Sequence, residues 1–197
     1  MTKVLTRTGA ALALSLGLAA AAAGQAKPEE KALMEAWQKA MTPGEGQRRL
    51  EPMVGTFDTR VRTWMEPGRP PEDTVGTAVN AWVLGNRYVE TRYEGIFLGE
   101  AFNGIGYMGY DNVAKRYVSV WMDTAGTGMM IGTGSADASG KAFSLKATVS
   151  DPMSGKTGTA EEKITILDAD RYTFEMWARD RAGKKFKMME IQYFRKN

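Results

Sequence analysis

From Val54 to the C terminus, apolar and polar residues alternate in short runs, and no stretch keeps the 3.6-residue period of a helix for long. The runs are Thr56–Trp64, Thr74–Leu84, Arg87–Gly95, Ala101–Tyr110, Lys115–Asp123, Gly128–Ser135, Ala142–Val149, Thr157–Ile166, Arg171–Arg179 and Lys184–Phe194. Between them lie turn formers: Gly85-Asn86, Asp111-Asn112, Asp137 to Gly140, Asp151-Pro152 to Gly155, Asp168 to Asp170 and Asp180 to Gly183. Asn, Asp and Gly tolerate the positive φ angles that tight hairpins demand. Consecutive hairpin-linked strands without crossover helices predict an antiparallel meander, and a meander loses its exposed edges when its first strand pairs with its last. The expected fold is therefore all-β, an up-and-down antiparallel barrel of about 8–10 strands, with a two-sheet sandwich as the alternative. Gly104, Gly106, Gly109, Gly132 and Gly134 lie inside strands, where glycine permits the bends of barrel closure.

The segment before this region divides in two. Lys3 and Arg7 precede an apolar run, Gly9 to Ala23, which ends in small residues through Ala26. That order is the pattern of a secretory signal peptide, with a cut expected after Ala26. The run is shorter than the roughly 20 apolar residues of a membrane-spanning helix, so no membrane span is expected in the mature chain. The expected location is exported and periplasmic. Next, Pro28 to Met41 reads as a helix, with Glu29 and Glu30 in its first turn and Thr42-Pro43-Gly44 as its stop. Leu33, Ala36, Trp37, Ala40 and Met41 share one face, which predicts packing on the barrel or across one mouth. The expected division is thus a leader over 1–26, a helical segment over 27–44 and a barrel over 45–197.

Composition narrows the chemistry. The chain of 197 residues has no His and no Cys. The Ser-His-Asp and Cys-His triads, ordinary zinc and copper sites, histidine-ligated haem and disulfides are excluded with them. No metal or other cofactor is expected. Lys3 and Arg7 account for two of the 26 basic residues, so beyond Ala26 the remaining 24 face 23 acids, a net charge of about +1. Nucleic-acid binders concentrate basic charge. Here Lys184, Lys185 and Lys187 alternate with Phe186 and Met188 and read as the solvated face of a strand, so no nucleic-acid partner is expected.

Two nucleotide-like spacings do not survive their context. Gly104-Ile105-Gly106-Tyr107-Met108-Gly109 has the G-x-G-x-x-G spacing, but that fingerprint must open a helix, and here another strand follows. Gly155-Lys156-Thr157 ends like a phosphate-binding loop, but position 150 is Ser rather than Gly, and Pro152 lacks a backbone N–H for the phosphate.

A set of short motifs runs in order along the chain: LEPMVGTF over Leu50 to Phe57, Trp64 with Pro67-Gly68, and Gly76-Thr77. Leu84-Gly85-Asn86-Arg87, Gly109-Tyr110-Asp111-Asn112, Trp121-x-Asp123, Thr127-Gly128 and Asp151-Pro152-x-x-Gly155-Lys156 continue it. Together they resemble the bacterial domain-of-unknown-function family 1579 over roughly residues 45–196. The resemblance implies a calycin-like barrel of the lipocalin and fatty-acid-binding kind, with no assigned activity and no catalytic residues to carry over. Where many members carry a His just before the leading Leu, this chain has Gln47.

Function then depends on which residues face inward. Strand alternation puts Phe143, Leu145, Ala147 and Val149 on one face of their strand, and Phe57 and Val61 on one face of theirs, opposite Asp58, Arg60 and Arg62. In the last strand, strict alternation groups Phe186, Met188 and Phe194 with Glu190 and Gln192, opposite Lys185 and Lys187. Glu190 is thereby expected inside the barrel, where a carboxylate must be paired or protonated. Tyr93, Tyr107, Trp121 and Asp123 are its expected companions in the lumen. Three readings follow: a barrel that binds a small apolar or amphipathic molecule, an enzyme using Glu190 or Asp123 beside a Tyr, and an outer-membrane barrel. The last would need an unbroken apolar outer band, which Asp58, Arg60, Arg62, Glu161 and Lys163 interrupt. A purely structural or protein-binding module is the remaining alternative. Ligand binding is the reading preferred, and no reaction is assigned.

Overall fold

The computed structural model describes residues 27–151, 155–180 and 182–196. The expected leader and part of the turn between Asp151 and Gly155 lie outside the described residues. After α1 (Pro28–Met41), the short α2 (Glu45–Arg48) and a single 3₁₀ turn (Glu51–Met53), ten strands follow. They are β1 (Gly55–Thr63), β2 (Glu72–Val83), β3 (Tyr88–Phe97), β4 (Glu100–Asp111), β5 (Arg116–Asp123), β6 (Met130–Ala136), β7 (Ala142–Asp151), β8 (Lys156–Ile166), β9 (Arg171–Arg179) and β10 (Lys185–Arg195). Each pairs antiparallel with its neighbour in sequence, and β1 pairs with β10 from Phe57↔Arg195 to Thr63↔Met189. The sheet is a closed up-and-down barrel.

The turns work as their residue types require. Asp111 accepts hydrogen bonds from the backbone N–H groups of Val113 and Ala114, and Asp137 from those of Lys141 and Ala142. Asp180 does the same for Ala182 and Lys184. Such bonds stabilise the carboxylate form, and Asp111 and Asp137 are held below the usual carboxylate range. The β3–β4 hairpin closes through Leu98 and Gly99, both at positive φ, the backbone of a two-residue hairpin turn.

Alternation along the strands gives one inward set. On β1, Phe57, Thr59, Val61 and Thr63 are buried while Asp58, Arg60 and Arg62 are exposed. Phe143, Leu145 and Ala147 are buried on β7, as expected from their spacing.

One end of the barrel, here called the floor, is filled. Leu50 and Met53, carried by the segment before β1, plug it and join Phe57, Tyr117, Phe143, Tyr172 and Tyr193 in the core. Tyr172 and Tyr193 stack at 4.0 Å between ring centroids, and Phe57 meets Tyr172 edge-on at 5.1 Å. The Arg195 guanidinium lies over the Phe57 ring and donates to the carbonyls of Pro52, Val54 and Ala169, so it clamps the plug to the wall. Gly55 sits at φ 137°, and a Cβ there would fall 2.2 Å from Arg195 Nη1, so only glycine admits the clamp. Gln47, at the position singled out in the sequence, accepts from the Gly44 N–H and donates to the Tyr110 carbonyl. It ties the incoming chain to β4.

The expectation for α1 needs correcting. None of its residues is buried, and Trp37 is 59% exposed. Its C-terminal end is held: the Asn112 side chain donates to the carbonyls of Lys39, Ala40 and Thr42, and Arg87 donates to that of Met41. These bonds satisfy the orphan carbonyls of a helix end and orient the helix with Glu35, Gln38, Lys39 and Thr42 toward the barrel. Those residues line an open cleft of about 780 Å³ outside the floor, while Leu33, Met34, Trp37 and Met41 face away from it.

Candidate functional site

Above the floor the lumen changes character. The inward positions of the upper half carry Phe102 on β4, Trp121 on β5, Phe174 on β9, and Met189 and Ile191 on β10. All five pack against the core yet remain only partly buried. A side chain that points into a closed barrel and still touches solvent meets it in the lumen or at its open mouth. The upper end of the barrel therefore presents an apolar lining that is partly solvent-exposed, with Met130 and Met176 adding flexible thioether surface.

Trp121 shows how the space is kept open. Its ring lies against β4, where Gly104 and Gly106 stand opposite Asp123 and Trp121. A Cβ at Gly104 would fall 2.1 Å from the indole, and one at Gly106 2.7 Å from it. The missing side chains form a seat in which the indole lies flat on the wall instead of crossing the lumen. Its Nε1–H donates to Asp123 Oδ2 at 2.8 Å, and Asp123 also accepts from the Ala125 N–H at the rim.

The strongest polar feature of the lumen is Glu162 on β8. It stands opposite Leu145 and Met176 on the inward face and is 5% exposed. Its carboxylate reaches across β7 toward β6, where a Cβ on Gly132 would lie 3.0 Å from Oε2. Its hydrogen-bond partner is Ser119 Oγ, at a long 3.5 Å. Burial without a cation disfavours the charged form, and the carboxyl is pushed up to about 7. Sequence reasoning missed this residue although the signal was present: Gly158, Ala160, Ile164 and Ile166 share its parity, while Glu161 and Lys163 take the other.

The five residues expected in the lumen separate. Tyr93, Trp121 and Asp123 face inward, and Tyr93 shares a buried hydrogen bond with Thr59 at 3.3 Å, its burial raising the phenol. Glu190 and Tyr107 do not join them. A β-bulge between Lys187 and Met189 inserts one residue into β10 and reverses its parity. Phe186 stands opposite inward Ala178 at one end of β10, whereas Glu190 stands opposite Glu175 on the outer wall. There Lys187 donates to both Glu175 and Glu190, and this pairing holds Glu190 below the usual carboxylate range. Tyr107 lies opposite Glu90 on the outer face of β3–β4, donates to its carboxylate at 2.7 Å, and has its own phenol raised by that bond.

Among solved structures, the fold is similar to that of Rv2717c from M. tuberculosis, with a TM-score of 0.58 at 15% identity, covering 79% of this chain and 100% of that one. A second, EF1p2_mFAP2b bound to DFHBI, aligns over 77% of this chain and 100% of its own at 8% identity and a TM-score of 0.39. No curated protein matches the chain. Residues 42–195 match the family described as "Protein of unknown function (DUF1579)", and the chain belongs to that family.

Proposed function

We propose that the protein is an exported barrel that binds a small, largely apolar molecule in the upper half of its lumen. One observation carries this reading: Phe102, Trp121, Phe174, Met189 and Ile191 point inward and keep contact with solvent. Water beside apolar side chains in a concave site is readily displaced by an apolar ligand, and barrel mouths are frequent ligand sites. Asp123 at the rim and Glu162 deeper down supply the few polar groups that such sites use for orientation. Export rests on the leader-like order of residues 1–26.

Titration with N-phenyl-1-naphthylamine, a neutral dye that brightens in apolar surroundings, tests the reading. A saturable rise in emission at one site per chain is expected. Gly104→Ala, which drives the Trp121 indole off its seat and into the lumen, is expected to weaken binding by about tenfold while the far-ultraviolet spectrum of the barrel stays unchanged. A dye response that never saturates, or one that Gly104→Ala leaves intact, contradicts the lumen as the site.

A further inference from the structure

We propose that the lumen selects amphiphiles whose head group is neutral and hydrogen-bonding, or cationic, that it discriminates against anionic amphiphiles, and that Glu162 is the head-group site. The inference rests on the lumen reading above and adds the chemical class of the ligand.

The charge inventory of the inner wall carries it. Among the described residues, no Lys or Arg occupies an inward position between the rim and the floor. Lys156 shares the parity of Glu162 but stands exposed at the rim, beside Asp151. Arg195 is at the floor, where the carbonyls of Pro52, Val54 and Ala169 and the carboxylate of Asp170 take up its donors. A chamber built for a carboxylate or phosphate head would present a cation or a fork of N–H donors. This one presents carboxylates.

The two inner carboxylates are not equivalent. Asp123 already accepts from the Trp121 indole and a backbone N–H. Among the described residues, Glu162 has only the long contact with Ser119. The elements packed round Glu162 contribute Ser119 from β5, Gly132 from β6, Leu145 from β7 and Met176 from β9, none of them charged. A neutral Glu162 can donate its O–H to a ligand oxygen and accept from a ligand hydroxyl, and an ionised Glu162 can accept from an ammonium. An anionic head brought to the same place meets either repulsion from the carboxylate or the cost of burying an unpaired charge.

The test displaces bound N-phenyl-1-naphthylamine from the purified protein at pH 7.5 with three twelve-carbon amphiphiles: 1-dodecanol, dodecylamine and dodecanoate. The alcohol and the amine are expected to displace the dye at concentrations about tenfold or more below that needed for dodecanoate. In Glu162→Gln the preference for the amine over dodecanoate is expected to shrink by about tenfold. Equal or stronger displacement by dodecanoate in the wild type overturns the head-group inference while leaving the lumen reading standing. A preference unchanged in Glu162→Gln removes Glu162 as its source. Failure of the dye to bind, or of all three amphiphiles to displace it, overturns both readings. The wild-type ratios decide the matter even where the variant folds poorly.

Discussion

Replacing Phe57 with alanine is expected to lower the stability of the protein by about 4 kcal/mol, the usual cost of emptying a fully buried phenyl site. Phe57 is 0% exposed and sits where three parts of the floor converge. Tyr172 meets its edge, Tyr193 lies 6.2 Å away, and the Arg195 guanidinium covers its face at 4.7 Å. Phe57 also pairs with Arg195 across the β1–β10 seam, the contact that closes the ring. Its loss removes apolar contact and loosens the arginine that holds the plug carbonyls. Urea denaturation followed by circular dichroism measures the change. A loss under 1 kcal/mol would mean that the floor is not the packed half of the barrel.

The second large effect is electrostatic and depends on pH. Glu162 takes up its proton near pH 7 in the folded chain and near 4.5 when unfolded. Between those values the folded state binds more protons than the unfolded state, so stability falls as pH rises through this window. Well below pH 4.5 the group is neutral in both states and its titration costs nothing; above about pH 7 the full penalty of a buried, unpaired charge applies, about 3 kcal/mol. Glu162→Gln keeps the shape and removes the charge. It is expected to match the wild type within about 1 kcal/mol at pH 5 and to exceed it by up to about 3 kcal/mol at pH 8. Urea midpoints for both proteins across pH 5–8 check this, and two parallel profiles would show that Glu162 is ionised without cost. Such a cost is consistent with a polar group kept for binding rather than for stability.

How much of this was legible in the residues varies with the element. The ten strands and their closure followed from alternation cut by Asp, Asn and Gly, because each turn carries its own hydrogen-bond chemistry and each strand its own two-faced pattern. Asp111 and Asp137 do locally what their residue type implies. Errors came where a neighbour overrode the local pattern. On β10 the bulge at Lys187/Met189 turns Glu190 outward, and a bulge is one inserted residue that strict alternation cannot register. On β4 the volume pattern is inverted: Gly104 and Gly106 face in and Tyr107 faces out, because Trp121 on the next strand occupies the space over the glycines. Tyr107 looked like a lumen residue for want of that information. Glu162 was the opposite case, a residue whose inward parity was plain but which the larger cluster at Glu190 obscured. The apolar stripe of α1 predicted packing, yet hydrogen bonds from Asn112 and Arg87 to the helix end set its orientation instead.

A crystal structure of the protein grown with 1-dodecanol reads the lumen site itself. One chain of density is expected in the upper lumen between Trp121, Phe174 and Ile191, with the hydroxyl within hydrogen-bond reach of Glu162 and the indole still seated on Gly104 and Gly106. An upper lumen packed solid by its own side chains, with the alcohol absent or bound only on the outer wall, would contradict it.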